Sequence, residues 1–109
     1  MKPEELRDLA VDQLTDLKGQ DLVVCDVRDK TDVTDFFVIV TSTSNRHAKA
    51  LADKVIEKIK QLGLRPLGVE GYETNEWILV DLGDVVVHVM QAPARKFYDL
   101  EGLWLNVPA

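Results

Sequence analysis

Between Thr41 and Ser44 the hydrophobic pattern changes period, and this change constrains the fold more than any other feature. Phe36 to Thr41 reads FFVIVT, a near-continuous apolar run that predicts a strand central in its sheet. From Ser44 to Leu62 the apolar residues are Ala48, Leu51, Ala52, Val55, Ile56, Ile59 and Leu62, which recur at helical spacing. Lys49, Lys54, Lys58 and Lys60 fall mostly on the other side, and Gly63 supplies a helix stop. A buried strand followed at once by an amphipathic helix predicts an α/β fold.

The flanking segments extend that reading. Pro3 to Lys18 is a helix with Leu6, Leu9, Ala10, Leu14 and Leu17 on one face, Pro3 in the first turn and Gly19 at the stop. Leu22 to Val27 is a β-branched strand, and Asp29 to Asp35 a polar loop. Leu64 to Val69 is a short strand that Pro66 places at an edge or bulge. After a loop from Glu70 to Glu76, Trp77–Asp81 and Asp84–Met90 form a hairpin, and Pro93 opens a last helix to about Trp104. The order α-β-β-α-β-β-β-α predicts a mixed β-sheet flanked by helices. No linker, repeat or low-complexity run interrupts it, so residues 1–109 are expected to form one domain.

Charge narrows the partner class. The net charge of −6 argues against a general nucleic-acid binder, which needs surplus cations to displace counterions from phosphates. The distribution is uneven: residues 36–65 carry six basic and two acidic groups, whereas residues 66–109 carry two basic and seven acidic. An acidic C-terminal third suits a basic partner, although a plain solvated surface gives the same composition. Cys25 is the only cysteine, so no intrachain disulfide or cysteine-based metal cluster is possible, and it sits in an apolar run where it packs as a small hydrophobe. The N-terminus lacks the pattern of a signal peptide. No apolar segment approaches the roughly 20 residues of a membrane span. The expected location is cytoplasmic.

Two segments break local rules. In TSTSNRH, Ser44 is the N-cap of the long helix, and Arg46 and His47 occupy its first turn, where the helix dipole disfavours positive charge by ~0.3–1 kcal/mol each. An anion site, a partner-facing tip and tolerated surface side chains all fit. The second segment runs from Trp77 to Trp104 and holds Trp77, Asp81, Asp84, His88, Arg95, Tyr98 and Glu101, more functional groups than a hairpin and cap require. With Leu82-Gly83 as a two-residue loop, His88 would lie opposite Trp77 and Asp84 opposite Asp81. With a three-residue loop and Gly83 in the left-handed position, Trp77 and His88 would lie on opposite faces. Both registers stay open.

Enzyme readings each lack a part. A nucleotidyltransferase would need a Gly-Ser turn into a helix and an Asp-x-Asp pair; here the turn is Thr43-Ser44, and Asp81 and Asp84 flank a turn. A zinc site wants three ligands or more, and only His47 and His88 offer imidazole. No phosphate-binding glycine loop is present. No metal or cofactor is expected.

Together TDFFVIVTSTSNRHAKALAD, GVEG, WILVDLGDVVVHVM and RKFYDLEGLW resemble the ribosomal silencing factors, the Iojap-related family. The resemblance runs from about Leu6 to Trp104. It implies a fold similar to nucleotidyltransferases without their catalytic signature, and an activity that is steric. A member of this family would bind the large ribosomal subunit through ribosomal protein fourteen, keep the small subunit from joining, and so slow translation when nutrients are scarce. The alternatives are a large-subunit assembly factor, or a nucleotidyltransferase-like enzyme using Asp81, Asp84 and the helix start at Ser44. The resemblance carries the partner surface onto Trp77, Asp81, Leu82, His88 and Tyr98, with Asp84 nearby. In that surface Trp77 and Leu82 would be apolar anchors, and the two aspartates would pair with cations. Arg95 and Glu101 would be a structural pair orienting the last helix. Arg46 and His47 would lie elsewhere, near ribosomal RNA or only near the protein's own loops. A homodimer of the free protein would bury the partner face.

Overall fold

The computed structural model describes residues 1–104. Its elements are α1 (Pro3–Asp16), β1 (Gln20–Asp26), β2 (Phe36–Ser42), α2 (Asn45–Gln61), β3 (Gly68–Glu70), β4 (Trp77–Asp81), β5 (Val85–Gln91), α3 (Ala92–Tyr98) and α4 (Leu100–Trp104). The strands form one sheet in the order β1-β2-β5-β4-β3. β2 and β5 run parallel at its centre and every other pair is antiparallel, so the sheet is mixed, as expected.

Two layers of helix cover the two faces unequally. α1 and α2 pack on the face carrying Phe36, Val38, Val40, Ile78, Val80, Val85, Val87 and Val89, and all of these are buried with Leu14, Leu51 and Ile59. The short helices α3 and α4 lie on the other face, where Ala94, Leu100 and Trp104 meet Cys25, Ile39 and Met90. β5 is buried for most of its length and is apolar apart from His88, because both of its faces are covered. At the start of β2, the guanidinium groups of Arg7 and Arg28 stand 4.8 and 4.9 Å from the Phe36 ring centre and clamp α1 to the sheet.

Local chemistry sets several boundaries away from their expected positions. α1 stops at Asp16, two residues short of the expected end, because Lys18 takes a left-handed conformation at φ 60°. β1 starts at Gln20, with a register shift before Val23 where Asp21 is left-handed. β3 spans only Gly68–Glu70 at the sheet edge, beyond Pro66. The last helix is two: Asp99 turns left-handed at φ 46°, ends α3, and holds Gly102 N–H on its own carboxylate at 3.1 Å.

The hairpin adopts neither predicted register. Leu79 lies opposite His88 and Asp81 opposite Val86, and Leu82 N–H donates to the Val85 carbonyl at 2.9 Å. The turn is therefore Gly83-Asp84, with Gly83 at φ 90°, a conformation glycine takes without the penalty a Cβ would add. Asp84 sits in the turn and begins no strand, so the two carboxylates do not face each other across a ladder. Asp81 Oδ1 accepts from Gly83 N–H at 2.9 Å and braces that turn.

Candidate partner-binding face

Strand alternation sorts the expected site residues onto two faces. Trp77, Leu79 and Asp81 line one face of β4, and His88 and Val86 stand beside them on β5. Trp77 and His88 share that face as diagonal neighbours; of the two predicted registers, only the first puts them on one side. Phe37 on β2 is adjacent to His88, their rings perpendicular at 5.1 Å. Leu82 goes the other way: it is partly buried and packs against the main core, the cluster that holds Ile78 and Val80. At a strand rise of about 3.3 Å per residue it also stands about 17 Å along the chain from Trp77. The residue beside Trp77 is Leu79, partly buried, which by its sequence context is an ordinary strand position.

A string of rings crosses this face. Trp104 contacts Phe37 at 5.1 Å, Phe37 contacts His88, His88 contacts Trp77 at 5.8 Å, Trp77 contacts Tyr98 at 4.6 Å, and Tyr98 contacts Phe97 at 5.0 Å. Exposure rises along it, from His88 at 5% to Tyr98 at 49% and Phe97 at 81%. Phe97 also escapes sequence reasoning, because an aromatic residue in a short helix reads as core until the neighbouring layer is known to end. The loop before Trp77 is held by close backbone approach: Gly71 lies at φ 99°, and a Cβ there would fall 1.9 Å from the Trp77 carbonyl oxygen. Tyr72 OH adds a hydrogen bond to Asp53 Oδ1 at 2.6 Å, tying this loop to α2.

His88 is neutral and its tautomer is set. Trp77 Nε1 can only donate, and it does so to His88 Nδ1 at 3.0 Å, so the ring proton resides on Nε2. Among the described residues that buried N–H has no acceptor. Burial lowers the His88 pKa to about 4, and protonating Nδ1 would also set two N–H groups against each other.

The remaining expected residues have separate tasks. Arg95 Nε donates to Glu101 Oε2 at 3.1 Å and its Nη1 to Thr41 Oγ1 at 2.8 Å, so one guanidinium ties α3 to α4 and to β2. His47 sits away from the aromatic face, at the start of α2. Its Nδ1 accepts Thr43 N–H at 2.9 Å and its Nε2 donates to the Leu17 carbonyl at 2.8 Å, linking the helix start to the end of α1. Ser44 is the N-cap, as expected, accepting His47 N–H at 3.0 Å. Arg46 is exposed beside them.

Charge divides along the aromatic face: Lys30 donates to the Trp104 carbonyl and exposed Lys96 lies on α3, whereas the Trp77 and hairpin end carries carboxylates. Glu70, Glu76, Asp81 and Asp84 border it or the hairpin tip, and among the described residues none of them is in an ion pair. Among the described residues no group of three or more His, Cys, Asp or Glu side chains could hold a metal ion. No helix there is long and apolar enough to cross a membrane. The arrangement suits recognition of a surface that carries cations around an apolar centre.

Known proteins resemble this chain in sequence and in fold. The family model described as ribosomal silencing factor during starvation matches residues 1–109. A relative from Haemophilus influenzae named ribosomal silencing factor RsfS is 46% identical over 99 residues, covering 91% of this chain and 97% of its own. A mouse relative named mitochondrial assembly of ribosomal large subunit protein 1 is 34% identical over 100 residues, 89% of this chain and 44% of its own. A crystal structure of a protein from Chromobacterium violaceum is 44% identical, with a TM-score of 0.93 over 95% of this chain and 87% of that one. The chain belongs to the ribosomal silencing factor family.

Proposed function

We propose that this protein represses translation in the cytoplasm by binding the large ribosomal subunit at ribosomal protein fourteen and sterically blocking the small subunit. The observation that carries this reading is the ring pair of partly buried Trp77 and half-exposed Tyr98, bordered by carboxylates that form no ion pair among the described residues. Aromatic residues dominate interface hot spots, and unpaired carboxylates around them select a basic protein over bare nucleic acid. Trp77 and Leu79 are the apolar anchors, Tyr98 supports Trp77, and Asp81 and Asp84 meet cations at the hairpin end. Leu82 acts at the rim, from the opposite face. His88 holds the Trp77 indole in position. Arg46, exposed at the start of α2, is our candidate for a contact with ribosomal RNA. In the free protein a second copy would compete for the aromatic face.

The test is a density-gradient profile of purified large and small subunits remixed with and without the protein. Comigration with the large subunit and a reduced joined peak is the expected result; normal joining with the protein left at the top of the gradient would sink the reading. An assembly role has support in the mouse relative's name. It predicts association with immature large subunits and not with mature ones, which the same gradient distinguishes. A nucleotidyltransferase-like activity predicts heat on titration with Mg²⁺ and nucleotide; a steric blocker releases none.

A further inference from the structure

Next to Tyr98 the aromatic face continues into a hollow of about 430 Å³ lined by Glu76, Gln91, Pro93, Ala94, Phe97 and Tyr98. Its walls are mainly apolar and include two rings at 5.0 Å from each other. The polar groups at its edge are of one kind. Gln91 Nε2 is spent on the Asn75 carbonyl at 3.0 Å and on Asn45 Oδ1, so its amide offers only an acceptor oxygen. The Glu76 carboxylate is exposed and forms no side-chain hydrogen bond or ion pair among the described residues. No cationic side chain lines the hollow. Two acceptors, one of them charged, beside two exposed π faces fit a planar group that carries several donors and a positive charge.

We propose that this hollow receives an arginine side chain of the protein that docks on the Trp77 face. A guanidinium can stack on Phe97 or Tyr98 while its fork of N–H groups reaches the Glu76 carboxylate and the Gln91 amide oxygen. An ammonium, a compact point charge, cannot satisfy the ring and both acceptors as well. The hollow is continuous with the docking face through Tyr98, which touches Trp77 at 4.6 Å. The proposal rests on the reading of that face as the docking surface, and it adds Glu76 and Phe97 to the residues that select the partner.

The experiment titrates N-acetylarginine amide, N-acetyllysine amide and N-acetylleucine amide into the isotope-labelled protein and follows backbone amide resonances. Shifts concentrated at Gln91, Phe97 and Tyr98 with the arginine probe are expected. The lysine probe should bind more weakly, and the leucine probe should leave those signals in place. Glu76→Gln should weaken the arginine probe about tenfold, the loss of one charge-assisted contact. Phe97→Leu, which keeps an apolar wall without the π face, should weaken it as well. Both positions are exposed, so the variants should melt with the parent. Equal shifts from the leucine probe, or none from the arginine probe, would overturn the proposal and leave the hollow to an apolar occupant such as a second copy. Sedimentation with purified large subunits separates the two levels. If Trp77→Ala abolishes retention while Glu76→Gln and Phe97→Leu are retained like the parent, the docking face stands and the arginine site falls. If the parent protein itself is not retained, the docking reading fails.

Discussion

The two faces of the sheet are built from the same five strands and serve different ends. Under α1 and α2 nearly every inward residue of β2, β4 and β5 is fully buried, and the layer above is continuous. On the other face two short helices, α3 and α4, cover only part of the strands and leave Leu79, Asp81, Tyr98 and Phe97 in reach of solvent. The first face supplies stability through burial. The second retains enough packing to hold its rings in place while leaving part of their surface uncovered, as the proposed partner contact requires. Coverage by the next layer, more than composition, separates the closed core from the partly open face.

Substitutions can break that division. Leu51→Ala, beneath α2, should lower stability by about 2–5 kcal/mol in urea melts, with subunit binding lost only as the chain unfolds. If it weakened binding at full folding, the faces would not be independent. His88 gives the next effect, because its burial belongs to the partly covered face. Its pKa falls from 6.5 to about 4 on folding, so the unfolded chain takes up the proton first. Stability is then full above pH 6.5, is lost as the pH falls toward 4, and levels off below. Integrated over that window the loss is about 3 kcal/mol. His88→Gln, which keeps an acceptor for Trp77 but does not titrate, should remove this slope from a series of melts between pH 7 and 4; an unchanged slope would mean that another group titrates there.

Trp77→Ala should reduce large-subunit retention by about 30-fold, the loss of an interface hot spot near 2 kcal/mol, and leave a cooperative unfolding transition. The sharper comparison sets Leu79 against Leu82. Leu79→Ala should weaken retention with little change in melting temperature, whereas Leu82→Ala should lower stability by ~1 kcal/mol and bind more nearly like the parent. The reverse pattern would return the anchor role to Leu82. Asp81→Asn comes last: it keeps the oxygen that accepts Gly83 N–H, so the expected loss is a few-fold in retention that shrinks as salt is raised. Indifference to salt in both forms would remove the ion-pair role.

Much of this fold is legible in the amino-acid sequence. α2 is readable because its apolar positions recur at helical spacing, and β2 because a near-continuous apolar run predicts a strand central in its sheet. The N-cap at Ser44 follows from side-chain chemistry alone. The pairing of Arg95 with Glu101 is an expectation from family resemblance, and the folded chain puts these groups 3.1 Å apart. The expected element order fails only at the last helix, where Asp99 adopts a left-handed conformation that aspartate tolerates better than most residues but that no local pattern announces.

The sequence by itself determined the order of the elements up to the split of the last helix, since that order depends on periodicities and caps within a few neighbouring residues; the sheet is mixed as expected, through the long-range parallel pairing of β2 with β5. Only the tertiary structure decided the hairpin register, and with it that Leu79 rather than Leu82 stands beside Trp77. It also decided that His47 is used as a tether and that Phe97 is exposed. The physical reason is common to all three. A shift of one residue in strand pairing reverses every side chain, and exposure depends on where the next layer ends, so both are set by contacts distant in sequence.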